Sequence, residues 1–189
     1  MSAVVKSILD VGNRAVVVDV ECHISNGLPA AIIVGFANKA IEESKERIRS
    51  AFASAKLDLP RKRITINLAP ADIPKDSTSF DLPIAVSILL AGGQIAQPLP
   101  PNTSCIGELG LDGSVRGVRG IIGKLLAGRN KRFTTFYVPA GNAQQAALVP
   151  GLTIVPVKHI RDLYLDLTAT VPLERIQSGA ETIKPSDDQ

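Results

Sequence analysis

Lys124 follows Gly123 in the stretch GVRGIIGKL at residues 117–125, and a glycine–lysine pair entering a helix is the mark of phosphate-binding loops. Such a loop needs G-x-x-x-x-G-K-[ST], so that backbone N–H groups cradle phosphate and the final hydroxyl holds magnesium. Here Leu125 stands at the hydroxyl position and Val118 where the first glycine belongs, which argues against nucleotide binding at this site. Metal chemistry has no better footing. Cys22, His23, Cys105 and His159 show neither C-x-x-C nor H-x-x-x-H spacing. Cys22 and His23 are adjacent, so on a strand their side chains take opposite faces. Both cysteines read as core residues and both histidines as surface ones. In PKDSTSFD, residues 74–81, Asp76, Ser77 and Thr78 precede an apolar run and read as caps for its first free N–H groups. Asp81 falls in the first turn, favourable for a carboxylate against the helix dipole.

The positive charges cluster. Arg47, Arg49, Lys56, Arg61, Lys62 and Arg63 form one group, and Arg116, Arg119, Lys124, Arg129, Lys131 and Arg132 another. Should both share a face, they would meet nucleic-acid phosphates without regard to sequence. The opposing reading is a solvated surface laced with helix pairs such as Glu43 and Arg47. Aromatic residues are 4% of the chain and tryptophan is absent, which leaves no platform for stacking bases.

The elements that position these residues alternate between β and α patterns. Residues 3–11 and 14–24 are strands rich in valine and isoleucine, with Gly12 and Asn13 as a two-residue turn between them. In the second, Val16, Val18 and Val20 alternate with Val17, Asp19 and Glu21, one face apolar and the other increasingly polar. A third strand covers 30–34. Asn38 caps a helix expected to run to Ala55, with Ile41, Ile48 and Phe52 on one stripe. Residues 63–68 form a strand, and 80–90 a buried helix with Pro83 in its first turn, where a missing N–H does no harm. Asp112 and Gly113 turn a hairpin between 104–111 and 114–115. Helices at 121–127, 142–148 and 159–167 alternate with strands at 134–138 and 152–155. After Leu173 the polar run ERIQSGAETIKPSDDQ reads as a linker or tail.

The 189 residues are 45% apolar and 21% charged, with a net charge of +3, the balance of an ordinary globular chain. A chain of this length buries roughly 70% of the surface its unfolded form exposes. Two cysteines make no disulfide framework and suit a reducing compartment. The first twenty residues lack the pattern of a signal peptide, and no stretch approaches the ~18 apolar residues of a spanning helix. The expectation is a cytoplasmic protein with no membrane partner.

Three segments, GLPAAIIVGFANKAIEESKERIRSAF at 27–52, INLAPADIPKDSTSFDLPIAVSILL at 66–90 and GELGLDGSVRGVRGIIGKLLAG at 107–128, together resemble the amino-terminal domain of ComM/YifB-type, magnesium-chelatase-related (ChlI-like) proteins. The resemblance extends in order over residues 1–173. It implies a Lon-protease-like α/β fold, a mixed sheet packed with helices, as also seen in the second domain of a small-subunit ribosomal protein. It further implies a following AAA+ ATPase module, which would hold ATP and magnesium, close a homo-oligomeric ring and drive DNA branch migration in natural transformation.

Lon itself is a Ser–Lys peptidase. Pro74, Lys75, Asp76 and Ser79 resemble its P-K-D-G-P-S segment, which implies Ser79 as nucleophile. Gly107 and Glu108 resemble its G-E, which brings Lys124 to the general-base position. A lysine desolvated in an apolar setting loses its proton and activates a serine hydroxyl. Three departures oppose the dyad. Phe80 and Asp81 follow Ser79 in place of small residues, a nearby carboxylate favours charged lysine, and Ile106 replaces a hydroxyl residue that positions the base.

The resemblance therefore implies a Lon-protease-like domain at 1–173 and a linker at 174–189 leading to an AAA+ module outside these residues. The expected role is a non-catalytic accessory or assembly domain, with no cofactor of its own and its own AAA+ module as partner. A Ser79–Lys124 peptidase and a free-standing scaffold or weak, non-specific DNA-binding module are the alternatives. The DNA candidates are Arg61, Lys62, Arg63, Arg129, Lys131 and Arg132.

Overall fold

A computed structural model describes residues 1–11, 14–75 and 77–179. The expected turn at Gly12 and Asn13 and the capping role of Asp76 lie outside the described residues. The chain opens with strands β1 (Ser2–Val11), β2 (Arg14–Ser25) and β3 (Ala30–Val34), then short helix α1 (Lys39–Glu42), helix α2 (Ser44–Ala55) and strand β4 (Arg63–Ala69). A 3-10 turn at Thr78–Phe80 leads into helix α3 (Asp81–Ala91), strand β5 (Thr103–Cys105) and the two-residue strands β6 (Glu108–Leu109) and β7 (Val115–Arg116). Helix α4 (Ile121–Asn130), strand β8 (Thr135–Pro139), helix α5 (Ala143–Ala146), strand β9 (Thr153–Val157), helix α6 (Ile160–Leu167) and strand β10 (Ile176–Gln177) complete it.

Eight strands form one mixed sheet in the order β10-β9-β8-β5-β1-β2-β4-β3, and β6 and β7 form a separate hairpin. β1 is antiparallel to β2 and β2 to β4, while β5 and β8 run parallel to β1. The starts of β1, β4, β5 and β8 therefore lie at one end of the sheet. This is the expected α/β class.

Alternation along the strands divides the apolar residues between two cores. Val5 and Leu9 of β1 join a core with α2, α3 and α6, while Ile8, between them on the opposite face, joins a core with Ile121 and Leu125 of α4. α3 is buried on nearly every side, only Leu90 of its eleven residues being partly exposed; such an all-round apolar helix belongs inside a domain. Where no helix covers β1, β2 and β4, the outward residues pair in polar rungs: Lys6 with Asp19 at 2.7 Å and Asn67 with Glu21 at 2.9 Å.

Four sequence expectations need correction. The helix expected from Asn38 to Ala55 is interrupted at Glu43, where the Arg47 guanidinium takes the Ala40 carbonyl at 2.9 Å. Asn38 does cap its start, accepting from the Ile41 amide at 3.2 Å. Residues 104–111 are not one strand. Gly107 leaves the sheet because its amide donates to the Ser79 carbonyl and its carbonyl accepts from Leu82, 3.0 Å each. The helix expected at 142–148 is a 3-10 turn followed by the four residues of α5. The fourth is the boundary at 173, because β10 pairs antiparallel with β9 and extends the folded body. Arg175 also reaches Asp166 through two hydrogen bonds, of 2.7 and 3.1 Å. No helix among the described residues is long and apolar enough to cross a membrane.

Candidate functional site

The loop leaving β4 sends Lys75 inward, where it is fully buried. Its ammonium donates to the Gly35 carbonyl at 2.8 Å and also to the Pro70 carbonyl. Its own backbone bridges to the segment after β3, the amide donating to Phe36 and the carbonyl accepting from Asn38. Burial pulls its pKa below the usual lysine range, against the opposing influence of Asp72. Nothing in the sequence distinguishes this lysine from a surface one, apart from its place in the Lon-like segment.

Ser77 caps the 3-10 turn as expected, its hydroxyl accepting from the Ser79 amide at 3.1 Å. The same oxygen lies 2.7 Å from the Ser79 hydroxyl. Thr78 does not cap; its hydroxyl donates to Glu108 at 2.6 Å. The segment carrying Ser79 and the one carrying Gly107 and Glu108 are thus stitched together. Lys124 takes no part in the stitching. It is nearly buried on α4, with its amine 3.8 Å from an Asp10 carboxylate oxygen. Among the described residues no hydrogen bond joins the Ser79 hydroxyl to the Lys124 amine.

Asp81 does more than face a helix dipole. Its carboxylate is completely buried and receives the Arg47 guanidinium at both oxygens, 2.7 and 3.0 Å, with the Leu109 amide at 3.0 Å. Burial pushes this carboxyl up, while Arg47 and the Leu109 amide work the other way. Hydrogen bonding to Asp81 raises the Arg47 pKa, against the effect of burial. Glu43, the expected helix partner, is 4.0 Å away. Arg47 therefore leaves the basic surface group and serves the interior, a contact across 34 residues that no local pattern announces.

The glycine-rich stretch before α4 is tied to the loop before α5. The Val118 amide donates to the Asn142 side chain and its carbonyl accepts from it, 2.9 Å each, so those backbone groups are already engaged. Cys22 and Cys105 are buried; burial pushes their thiols up to about 11 and about 12. His23 is exposed and meets Ser2 at 2.8 Å, and His159 caps α6 through the Arg161 amide. Among the described residues no three histidine, cysteine or carboxylate side chains are grouped to hold a metal.

Arg61, Lys62, Arg63, Arg129, Lys131 and Arg132 are all exposed, and none forms an ion pair among the described residues. Arg129 donates to the Pro150 carbonyl at 3.1 Å. The first three immediately precede or begin β4, and the last three lead into β8. Arg116 ends β7, Arg119 lies in the connection before α4 and Lys124 in the first turn of that helix, which has ten residues and so is about 15 Å long.

A family model described as subunit ChlI of Mg-chelatase matches residues 20–142. The chain is 41% identical over 184 residues to the competence protein ComM of Haemophilus influenzae, covering 97% of this chain and 35% of that protein. It is 35% identical over 168 residues to the uncharacterized protein YifB of Escherichia coli, 87% of this chain and 32% of that one. A Lon protease of Xanthomonas oryzae pv. oryzae is 27% identical over 174 residues, 86% of this chain and 20% of the protease. The chain spans about a third of the length of the ComM and YifB relatives.

Proposed function

The chain belongs to the ComM/YifB family of magnesium-chelatase-related proteins, and from that premise we propose that it is a non-catalytic accessory domain. It helps a ComM-like AAA+ ATPase assemble and act on DNA. ATP, magnesium and the ring-closing contacts belong to a module outside these 189 residues, and the process served is DNA branch migration in natural transformation. One observation carries the non-catalytic part. The Ser79 hydroxyl is engaged by Ser77, and the Lys124 amine lies against a carboxylate. A hydrolytic dyad needs the amine neutral and within hydrogen-bond reach of the hydroxyl.

Deleting residues 1–179 from the full-length protein is expected to weaken ring assembly, read by mass photometry, and to slow ATP-driven branch migration of a labelled four-way junction. Unchanged assembly together with unchanged migration would overturn the reading. A second arm addresses hydrolysis, where this chain is expected to leave casein intact. Cleavage that Ser79→Ala and Lys124→Ala each abolish would replace the accessory domain with a peptidase.

A further inference from the structure

The charge of this molecule is polarised along its sheet. The end at which β4, β5, β8 and β9 begin is built from the connections that precede those strands and from the turn between β2 and β3. Among the described residues these segments and the residues that flank them hold Lys56, Arg61, Lys62, Arg63, Arg129, Lys131 and Arg132 against one carboxylate, Asp58. The α3–β5 connection at residues 92–102, the α5–β9 connection at 147–152 and the β2–β3 turn at 26–29 contain no charged residue. Among the described residues this end therefore carries a net of six positive charges, and the charges of the others balance.

The cations form two groups, one before β4 and one before β8. β5, β1 and β2 stand between those strands, so four strand spacings separate the groups, about 19 Å at ~4.8 Å each. The pairings stagger Arg63 and Thr135 by about five residues along β1, roughly 17 Å, and Lys131 and Arg132, which precede Thr135 by four and three residues, make up part of that stagger. Arg63 pairs with Ser25, two residues beyond the Ser2–His23 rung, and Thr135 pairs with Thr103, next to the Lys6–Ser104 rung. A small anion can meet only one group. A linear polyanion meets both, since duplex DNA offers one charge per ~1.7 Å of axis, or about eleven over that span. Four of the six cations flanking the gap are arginines, whose planar fork matches phosphate oxygens two at a time.

The geometry points to this end of the sheet as a nucleic-acid backbone rim, in which the Arg61–Arg63 and Arg129–Arg132 groups act as one footprint. The inference rests on the DNA-processing role proposed above and assigns the surface that role would use. Contact is with phosphates and carries no base preference.

The test is fluorescence anisotropy on this chain with a labelled 20-base-pair duplex, a 20-nucleotide strand and a 4-nucleotide strand across a salt series. Two rim variants, Arg61→Glu/Lys62→Glu/Arg63→Glu and Lys131→Glu/Arg132→Glu, are compared with Arg116→Glu/Arg119→Glu, a reversal of exposed cations away from the rim. The second rim variant spares Arg129 and its bond to Pro150, and circular dichroism checks that each variant folds. Each rim variant is expected to weaken both 20-mers about tenfold or more at low salt. Each should also flatten the log–log salt slope by ~0.9 per lost duplex contact and ~0.7 per single-strand contact. The control should keep the native slope, and the 4-nucleotide strand should respond to only one rim variant. No binding of either 20-mer at low salt would overturn the rim. So would an equal loss in the control, or rim-dependent binding to anionic lipid vesicles without binding to DNA. None of these outcomes bears on ring assembly, which the deletion of residues 1–179 reads separately.

Discussion

Two acid–base pairs stand at the entrances of two helices. At the start of α3, Asp81 is wholly buried, and its oxygens are taken by two Arg47 nitrogens and the Leu109 amide. At the start of α4, Asp10 stays partly exposed, and its nearest oxygen is 3.8 Å from the Lys124 amine, without a hydrogen bond. Asp81 follows the segment of Ser79, and Lys124 is the candidate base, yet the two pairs differ in kind. The first has withdrawn two charges from water and satisfied them with directed bonds, so neither partner can be lost alone. The second is a longer contact without a directed bond, between a nearly buried amine and a carboxylate open to solvent. Lys124 belongs to the looser pair, and the tighter one binds α2, α3 and β6 together.

Breaking the tight pair sets the largest effect. Arg47→Met or Asp81→Ala leaves a buried charge alone and is expected to cost about 3–5 kcal/mol. That lowers the midpoint of thermal unfolding by roughly 6–20 °C for a domain of this size. Arg47→Met combined with Asp81→Leu should lose less than either single change, because nothing charged is then stranded. If the double variant loses the sum of the singles, the pair is not a unit and the contrast fails.

A third pair sharpens the comparison through pH. Burial works against ionisation of Asp166, but Arg175, the Leu173 amide and Tyr137 together hold its carboxyl below the ordinary value of 3.8. The unfolded chain therefore takes up this proton first as pH falls. The stability Asp166 supplies is complete above its unfolded value and is lost as pH drops through the folded one. Asp166→Asn should flatten the acid limb of stability in urea unfolding below roughly pH 4. An acid limb identical to the native one would show that this cluster does not report on folding.

The smallest effect is expected at the loose pair. Lys124→Met and Asp10→Asn should each change stability by less than about 1 kcal/mol, the range of weakly coupled ion pairs. A loss near 3 kcal/mol in urea unfolding would place this pair beside Arg47–Asp81 and erase the distinction.

What could be read from the sequence follows the range over which each signal acts. The alternation in β2 and the all-apolar run of α3 are local, and both elements appear within a residue or two of their expected limits. Asn38 and Ser77 cap as their positions imply, because a cap bonds two or three residues ahead. The inward turn of Arg47 depends on Asp81, 34 positions away, and on the helix facing pattern it resembled any surface arginine beside Glu43. Lys75 and Asn142 escaped for the same reason, their partners being backbone carbonyls and amides of distant loops. Of the second basic group, proximity in sequence misled, since α4 separates Arg116 and Arg119 from Arg129, Lys131 and Arg132 by its own length. β10 was hidden in a polar stretch too short to show a period.

Gly35 joins the two loops that enclose Lys75, and in the language of inheritance it is a position with one admissible letter. Its φ of 103° lies where side chains are rarely tolerated. A Cβ there would stand 2.8 Å from the Leu68 amide nitrogen and closer still to the Leu68 carbonyl oxygen. Both obstacles are backbone, so no rotamer change relieves them. Its carbonyl also receives the Lys75 ammonium, so any backbone shift that made room would uncouple a buried charge. Every amino-acid replacement at this codon therefore meets steric and electrostatic penalties together, whereas at Leu28 nearby, which is exposed, a new side chain would meet neither.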